Sequence, residues 1–570
     1  RRQRQMCIRD RATKEELRAI EGNENEIKER FYMDLEFGTA GLRGIIGAGI
    51  NRMNIYVVRR ATQGLANYII KQGAANKGVA IAYDSRHMSP EFAMEAAMTL
   101  AANGIKAYKF ESLRPTPELS FAVRELGCVA GINITASHNP PEYNGYKVYW
   151  EDGAQFTPPH DKGVTEEVLA IEDLSTVKTT DEASATAAGL YQVIGQEIDD
   201  KYIAQVKAQV VNQKAIDEMQ DQITIVYTPL HGTGNIPARR VMKEIGFTHV
   251  YVVPEQELPN GDFPTVSYPN PEAKEAFELG LKLAKEKDAD LVLATDPDAD
   301  RLGVYVKDTK SGEYIPLTGN MSGSLLCEYV LSQKQAAGKI PADGQVVKSI
   351  VSTNLIDAVA KSYGAELIEV LTGFKWIGKQ ILKNETTGHG TYLFGMEESY
   401  GCLIGTYARD KDAISATAAL CEAAAYYKQK GMTLWDAMIA MYEKYGYYKD
   451  AVKAIGLSGI EGLAKIQSIM ETLRNNTPTE VGGYKVTSAR DYKLDTIKDM
   501  ATGEVKPTGL PSSNVLYYDL EDGAWICVRP SGTEPKIKFY FGVKGTSLKD
   551  AEEKENALGA AVMAMVDKML

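Results

Sequence analysis

The sequence lacks the features of a membrane-spanning protein, of a disulfide-stabilised domain and of a zinc site. It contains no run of about 18 apolar residues, the length that a transmembrane helix needs. Its six cysteines are scattered, without a Cys-x-x-Cys pair or a neighbouring histidine cluster. We therefore expect reduced thiols in a cytoplasmic protein, with neither a disulfide framework nor a zinc finger.

The first eleven residues lack the apolar segment of a signal peptide, although five of them are arginines. This stretch differs in composition from the acidic chain behind it, and we interpret residues 1–11 as a disordered or artefactual extension. The pattern Thr13-x-x-Glu16 then predicts the capped start of a helix, with apolar positions at helical spacing as far as Phe31. We assign residues 1–37 to an N-terminal extension.

Positive charge is also scarce, since the sequence has 64 lysines and arginines but 76 acidic residues, and its net charge is −12. Proteins that bind nucleic acids or anionic membranes need an excess of basic side chains, so we expect neither partner. A small phosphorylated ligand needs only a local basic pocket and stays compatible with this charge.

The chain alternates between apolar runs and polar loops. Its 570 residues exceed what one hydrophobic core holds, so we expect several domains. Helical stretches rich in Ala, Glu and Lys separate the runs, which predicts α/β units on parallel or mixed sheets. Ligands bind such sheets at the carboxyl ends of strands. The apolar runs end, and the polar loops begin, at Tyr83, Ile134, Tyr227, Ala294 and Phe394.

Three aspartates, Asp296, Asp298 and Asp300, follow one of these runs at alternate positions. Their carboxylates repel one another unless they share a cation, and hard oxygen ligands suit Mg²⁺ or Ca²⁺. An EF-hand loop is excluded, because Arg301 and Lys307 stand where it needs Gly and Glu. A solvated acidic turn is the alternative that these residues leave open.

A second loop, Thr135-Ala-Ser-His-Asn-Pro140, contains a candidate nucleophile, Ser137. The loop lacks the Gly-x-Ser-x-Gly pattern of a hydrolase elbow, and a simple turn or cap role stays open. Phosphoryl transfer suits the serine better, since a serine phosphate needs a cation opposite it, which the three aspartates could hold. His138, Arg43 and Lys147 would supply proton transfer and charge stabilisation.

Two further loops carry polar side chains. Arg529-Pro-Ser-Gly-Thr-Glu534 combines a guanidinium fork, two hydroxyls and glycine-flanked amides, which favours a phosphate cradle over a simple turn. Gly395-Met-Glu-Glu-Ser399 offers acceptors and a hydroxyl that could bind sugar hydroxyls. Taken alone, that pattern does not identify a ligand.

Together and in this order, the four loops resemble the signatures of the α-D-phosphohexomutase superfamily, from about residue 38 to the C-terminus. The stretch 144–155 is similar to the second phosphoglucomutase type, a branch with phosphopentomutases and glucose-1,6-bisphosphate synthases. The resemblance implies an α/β, four-domain architecture around a central cleft, in which three related α/β domains with mixed sheets precede a smaller C-terminal α+β domain. We place a phosphoserine domain at 38–200, a metal-binding domain at 201–315, a sugar-binding domain at 316–470 and a phosphate-binding domain at 484–570, with polar linker candidates at 173–188 and 475–483.

The resemblance also implies roles for single residues. Ser137 is the phosphoryl carrier, Arg43 and Lys147 flank the reacting phosphate, and Lys411 matches a family lysine implicated in proton transfer. Mg²⁺ is held by the phosphate on Ser137 and by the three aspartates. The implied substrate-binding residues are Arg301, Lys375, Glu397, Ser399, Arg529, Ser531, Gly532 and Thr533.

The implied activity interconverts α-D-glucose 1-phosphate and glucose 6-phosphate through a bound 1,6-bisphosphate, with Mg²⁺ and that bisphosphate as cofactors and small phosphosugars as partners. The segment Asn139-Pro-Pro-Glu departs from the Asn-Pro-Gly-Gly of many members. A phosphomannomutase, a phosphopentomutase or a bisphosphate synthase therefore stays open, as does a monomer or a homodimer. The alternative from another class is an inactive sugar-phosphate-binding regulatory protein, which would need neither Ser137 nor the three aspartates.

Overall fold

The computed structural model describes residues 10–37, 41–457, 459–531 and 536–569. These residues form two compact units. The first comprises the described residues up to Ser322 together with Phe374–Trp435, and the second comprises Gly323–Gly373 together with the described residues from Asp436 onwards.

Alternating helices and strands make up both units, as the sequence predicts for an α/β protein. The helices are α1 (Arg11–Ala19), α2 (Glu24–Phe31), α3 (Ile55–Lys71), α4 (Ser89–Ala102), α5 (Thr116–Glu125), α6 (His160–Leu169), α7 (Glu182–Ala187), α8 (Gln196–Lys207), α9 (Gln213–Met219), α10 (Asn235–Ile245), α11 (Pro254–Glu257), α12 (Glu278–Lys287), α13 (Gly319–Ala336), α14 (Leu355–Ser362), α15 (Phe374–Thr387), α16 (Ala413–Gln429), α17 (Leu434–Tyr445), α18 (Gly459–Asn475) and α19 (Leu548–Asp567). The strands are β1 (Gly41–Ile45), β2 (Val79–Tyr83), β3 (Ala107–Phe110), β4 (Ala130–Ile134), β5 (Tyr143–Trp150), β6 (Tyr191–Ile194), β7 (Thr224–Thr228), β8 (His249–Val252), β9 (Leu291–Thr295), β10 (Leu302–Lys307), β11 (Tyr314–Leu317), β12 (Gly344–Ser349), β13 (Glu366–Val370), β14 (Thr391–Glu397), β15 (Gly401–Leu403), β16 (Tyr447–Gly456), β17 (Glu480–Val481), β18 (Tyr484–Asp491), β19 (Thr496–Asp499), β20 (Val505–Lys506), β21 (Leu516–Leu520), β22 (Trp525–Pro530) and β23 (Lys536–Gly545).

The first unit contains two mixed sheets of similar design. One has the strand order β1-β5-β4-β2-β3-β6, in which β4, β2, β3 and β6 are parallel while β5 and β1 are antiparallel to their neighbours. The other has the order β11-β10-β9-β7-β8, with a parallel centre and antiparallel β10 and β11. The central strands β2, β4 and β9 are buried at every position, which explains their uninterrupted apolar sequences. The carboxyl ends of β4 and β9 lead directly into the serine loop and the aspartate loop.

The remaining strands complete the two units. In the first unit, β14 pairs antiparallel with β15. In the second unit, β12 and β13 are parallel, and an antiparallel sheet runs β16-β23-β22-β21-β18-β19-β20 with β17 on β18. Apolar side chains of α18 and α19 pack in the same core as this sheet, which gives the C-terminal part its α+β character.

The N-terminal segment differs from the sequence-based expectation. Asp10, not Thr13, is the N-cap of α1, and its carboxylate accepts a hydrogen bond from the Thr13 N–H. Asp10 and Arg11 thus belong to an ordered helix start, whereas residues 1–9, which we expect to be disordered, lie outside the described residues. A second helix begins at Glu24 behind its own cap, Asn23, so the periodic pattern covers two helices.

Five cysteine thiols are buried: Cys128, Cys327, Cys402, Cys421 and Cys527. Burial raises the pKa of the Cys128 thiol and of the Cys402 thiol to about 12. No helix in the described part of the chain is both long enough and apolar enough to cross a membrane.

Candidate active site

Ser137 lies in the loop that follows β4. Its backbone is left-handed, with φ at 52°, a conformation that costs a residue other than glycine about 1–3 kcal/mol. The Ser137 N–H donates to Thr135 Oγ1 at 2.8 Å, and the Ser137 hydroxyl donates to Asp296 Oδ2 at 2.7 Å. Ser137 is only 3 % exposed. The loop therefore holds one buried hydroxyl against the first aspartate of the acidic loop.

A buried arginine organises this serine loop. Arg86 follows the neighbouring strand β2, and its guanidinium donates to the carbonyls of Ser137 (2.6 Å), Asn139, Pro140 (2.8 Å) and Tyr143 (3.1 Å). The backbone on both sides of the serine is thereby tied to one rigid group.

A buried carboxylate balances the charge of Arg86. Arg86 Nε lies 3.3 Å from Asp84 Oδ2, and neither side chain is exposed. Burial raises the pKa of Asp84, although the Arg86 guanidinium opposes this shift. The Asp84 carboxylate also accepts hydrogen bonds from the Arg86 N–H and the Ser89 hydroxyl.

We expect Arg86→Met to destabilise the protein by about 3–5 kcal/mol, because removal of one partner of a buried ion pair leaves the other uncompensated. The double variant Arg86→Met/Asp84→Asn should recover part of this loss, since it buries no unpaired charge. Urea denaturation of the wild type and both variants measures the difference. Equal instability of the single and double variants would show that the ion pair is not the cause.

The three aspartates occupy the turn between β9 and β10 and are all buried. One carboxylate oxygen from each lies within 4.8 Å of the others. Burial and the charges of Asp298 and Asp300 raise the pKa of Asp296. Burial also opposes ionisation of Asp298, but the nearby Lys147 ammonium lowers its pKa below the usual value.

The aspartate cluster has the donor set of a site for a hard cation. Asp298 Oδ1 and Asp300 Oδ1 are buried without a hydrogen-bond partner among the described residues, and such an unsatisfied group costs about 1–3 kcal/mol. A divalent cation with oxygen ligands would satisfy both atoms and relieve the repulsion among the carboxylates. The residues present therefore fit Mg²⁺.

Two lysines lie beside the cluster. Lys147 on β5 donates from Nζ to Asp298 Oδ2 at 2.7 Å, and Lys411 Nζ lies 3.2 Å from both Asp300 Oδ2 and Asp410 Oδ1. Burial disfavours both ammonium charges, but the facing carboxylates raise the pKa of both lysines. Each lysine therefore carries its charge at neutral pH.

The predicted sugar loop connects β14 to β15. Glu397 ends β14 with its carboxylate buried, and Glu397 Oε2 lies 4.0 Å from Lys411 Nζ. Ser399 is half-buried in the turn. A Cβ on Gly401 would come within 2.0 Å of Lys411 Cδ, so the glycine leaves room for the lysine side chain.

His138 lies next to the candidate nucleophile. Its Nδ1 is 3.2 Å from Ser137 Oγ, although the tautomer decides which atom donates. Burial lowers the pKa of His138, and the charges of Arg301 and Arg43 lower it further. The ring is therefore neutral at neutral pH in this environment.

The other predicted site residues of the first unit lie further from the aspartate cluster or have different partners. Arg301 Nη1 lies 2.6 Å from Glu272 Oε1, and Arg43, exposed on β1, donates from Nη1 to Asn139 Oδ1 at 3.1 Å. Lys375 lies in the first turn of α15 and lines a separate cavity, described below. The structure thus brings Ser137, the aspartates and Lys411 together more closely than it does Lys375.

The predicted phosphate cradle belongs to the second unit. Arg529 is half-buried on β22, and the Ser531 N–H donates to the Lys536 carbonyl at 2.7 Å. Gly532 and Thr533, which we predict to bind the same phosphate, lie outside the described residues.

Sequence reasoning missed several side chains that shape the site. Thr116 Oγ1 donates to Asp298 Oδ2 at 2.7 Å, and Asn133 Nδ2 donates to Thr116 Oγ1 at 2.7 Å. The sequence pattern of loop 84–86 predicted that Arg86 follows a strand, but it did not predict which groups Arg86 contacts. No local motif surrounds Thr116 or Asn133, so only the fold shows their contact with the cluster.

The family of this chain follows from four matches along its length. Family models for phosphoglucomutase/phosphomannomutase match as alpha/beta/alpha domain I over residues 34–175, domain II over 200–312, domain III over 318–445 and the C-terminal domain over 483–558. The chain belongs to this family. The match confirms the predicted superfamily, the four-domain α/β fold class and the prediction of a mutase that transfers phosphoryl groups.

Named relatives agree with this assignment. The chain is 36% identical over 534 residues to a phosphoglucomutase from Staphylococcus saprophyticus, covering 94% of this chain and 95% of that protein. It is 37% identical over 520 residues to a phosphoglucomutase from Staphylococcus epidermidis, covering 91% and 92%. In fold it is similar to the phosphoglucomutase pp63/parafusin from Paramecium in its open form, with a TM-score of 0.69, 18% identity, and 94% and 95% of the two chains covered.

Proposed function

We propose that the chain interconverts α-D-glucose 1-phosphate and glucose 6-phosphate through a phosphorylated Ser137. The observation that carries the proposal is the 2.7 Å contact between the Ser137 hydroxyl and Asp296 in a buried three-aspartate cluster. The two named relatives, both phosphoglucomutases, support glucose as the sugar.

The reaction transfers the phosphoryl group twice. In the first step the bond between phosphorus and Ser137 Oγ breaks and Oγ takes up a proton. At the same time the C6 oxygen of glucose 1-phosphate bonds to phosphorus and gives its proton to a base. The 1,6-bisphosphate then turns over. In the second step the bond between the C1 oxygen and its phosphorus breaks, and Ser137 Oγ gives up its proton and bonds to that phosphorus. The C1 oxygen takes up a proton as glucose 6-phosphate leaves.

The residues of the first unit have complementary roles in this transfer. Asp296, Asp298 and Asp300 would hold Mg²⁺, which when bound neutralises charge on the phosphoryl oxygens. The charged ammonium groups of Lys147 and Lys411 stabilise the same negative charge. His138 Nδ1, 3.2 Å from Ser137 Oγ, is placed to exchange a proton with the serine hydroxyl.

The remaining predicted residues would bind and orient the substrate. Arg301, Glu397 and Ser399 would bind the sugar, and the Arg529–Thr533 loop would hold the phosphate that is not reacting. Arg43 would flank the reacting phosphate. The domain limits given above, 38–200, 201–315, 316–470 and 484–570, stay part of this proposal, as does the binding of hexose 1,6-bisphosphate as the activator.

We expect Arg529→Ala to raise KM for glucose 1-phosphate more than it lowers kcat, because the guanidinium binds a phosphate that does not react. Steady-state kinetics at saturating Mg²⁺ measures the two parameters. Arg529→Lys, which keeps the charge but loses the fork, should lie between the wild type and the alanine variant. A loss confined to kcat would assign Arg529 to the chemical step instead.

A panel of sugar phosphates tests the proposed function directly. The protein is supplied with catalytic glucose 1,6-bisphosphate and with glucose, mannose or ribose 1-phosphate, and product formation is compared as kcat/KM. Preference for glucose supports the proposal. Preference for mannose or ribose would replace it by the corresponding mutase, and no turnover of any of them, with no phosphate found on Ser137 by intact mass, would overturn it.

A further inference from the structure

A cavity of about 590 Å³ lies in the first unit at the edge of the first sheet opposite to Ser137. Trp150 lines it and pairs in register with Ala130, the first residue of β4, whereas Ser137 follows the last residue, Ile134. At about 3.3 Å per residue, the length of β4 alone separates the two edges by about 13 Å. The volume is in the range of small-molecule pockets.

The cavity walls carry more basic than acidic groups, in a chain whose net charge is −12. Lys77 pairs with Glu151 at 2.5 Å, and Arg124 Nη1 donates to the Asp152 carbonyl at 3.1 Å. The charged residues that line the cavity are Lys77, Arg124, Lys375 and Lys379 against Glu151 and Asp152.

Two of these lysines, the half-buried Lys375 and the exposed Lys379, form no close ion pair among the described residues, although the more distant Asp161 carboxylate favours the charge of Lys375. Lys375 and Lys379 stand one turn apart on α15, and their ammonium groups lie 5.5 and 5.4 Å from the ring centre of Trp376. Among the described residues, no carboxylate lies within 4.0 Å of either nitrogen. Like charges at this spacing repel, and burial lowers the pKa of Lys375. An anion between the two ammonium groups would reduce their repulsion and would also stabilise the partly buried charge of Lys375.

The end of α15 adds a separate argument. Lys375 lies in the first turn of this 14-residue helix, and that turn contains no acidic residue. The first turn of a helix carries a partial positive charge, so it favours anions and disfavours a lysine. Lys375 therefore stands at a helix end that disfavours its charge, and it lines a cavity in which an anion beside it would offset this cost.

We propose that this cavity is a second anion site, which binds a phosphorylated small molecule with its phosphoryl group facing Lys375 and Lys379. The assignment does not depend on the mutase reaction. It gives Lys375 a role other than the substrate contact at the reacting centre that the resemblance implies. Inorganic phosphate and a sugar phosphate share the required chemistry.

Tryptophan fluorescence of the full-length protein tests the site, because the ring centre of Trp376 lies 5.5 and 5.4 Å from the two lysine ammonium groups. Inorganic phosphate is titrated into an Arg529→Ala background, which removes the proposed cradle of the reacting centre, with or without Lys379→Glu. Charge reversal should weaken binding by at least about tenfold, as expected for loss of a charge-assisted hydrogen bond. Mutase activity of Lys379→Glu alone should equal that of the wild type.

Lys383→Glu is the matched control, since Lys383 lies one turn further along α15 and is exposed like Lys379, but does not line the cavity. It should leave phosphate binding unchanged. Equal weakening by both charge reversals, or no phosphate response in the Arg529→Ala protein, would overturn the proposal. In a parallel titration, the affinity for glucose 6-phosphate is compared with the affinity for inorganic phosphate. Tighter Lys379-dependent binding of glucose 6-phosphate identifies a sugar phosphate as the ligand, and equal affinities identify free phosphate. Either result supports a site for a phosphoryl group.

Discussion

Replacement of Ser137 by alanine should abolish mutase turnover while the protein stays folded. The variant has no oxygen to carry the phosphoryl group, and loss of a nucleophile lowers kcat by at least about four orders of magnitude. The folded state loses the hydrogen bonds of Ser137 Oγ with Asp296 Oδ2 and His138 Nδ1, so the free energy of unfolding should fall by only about 1–2 kcal/mol. Coupled assay of glucose 6-phosphate, intact mass and urea denaturation give the three readings.

Ser85→Ala is the matched control. Ser85 also follows a parallel strand of the first sheet, but its hydroxyl has no hydrogen-bond partner among the described residues. This variant should keep wild-type turnover and still acquire one phosphoryl group from glucose 1,6-bisphosphate. Full activity of Ser137→Ala, or a phosphoryl group mapped to another residue, would refute the phosphoserine proposal.

Asp298→Asn should remove most of the stabilisation that Mg²⁺ gives the folded protein. The amide keeps the size of the side chain but loses the charge of a carboxylate whose Oδ1 lacks a partner. At Mg²⁺ a hundredfold above Kd, the wild type gains about 2.7 kcal/mol. A hundredfold weaker site would gain only about 0.4 kcal/mol at the same concentration, and thermal unfolding with and without Mg²⁺ resolves this difference.

Asp308→Asn serves as its control. Asp308 follows β10, is half-buried and accepts turn hydrogen bonds from the Lys310 N–H and the Ser311 hydroxyl. Asparagine can keep the first bond through Oδ1 and can donate from Nδ2 to Ser311 Oγ. Its Mg²⁺-dependent stabilisation should match that of the wild type, and its activity should be unchanged. An unaltered Mg²⁺ response in Asp298→Asn would show that the three aspartates are not the cation site.

The parts of the site that the sequence predicted are those with short local patterns. Ser137 and the aspartates each follow a buried strand, and the parallel strands of the two mixed sheets place such loops at strand ends. We expected the two loops to meet because a serine phosphate needs a cation opposite it. Arg86 and Thr116 were not predicted as partners, because their contacts depend on how separate strands meet. Thr116 and Asp298 are 182 positions apart in the chain.

Predictions from local sequence patterns were also wrong for two segments. The residues 173–188 look like a linker because they are rich in Ser, Thr and Asp, yet they contain α7, and Ala185 is buried in the core of the first sheet. Thr13 has the right spacing to Glu16 for a capping box, but Asp10 is the cap because its carboxylate reaches the Thr13 N–H. In both cases packing or a competing side chain outweighs the pattern.

The rate at which the buried cysteines react with a thiol reagent reports local unfolding of the protein. Alkylating reagents attack thiolates, and the native Cys128 and Cys402 are both inaccessible and protonated at neutral pH. Modification must therefore wait for a transient local unfolding event. Because Cys128, Cys402 and Cys421 lie in one compact unit and Cys327 and Cys527 in the other, peptide-resolved labelling would time the two units separately, without any engineered probe.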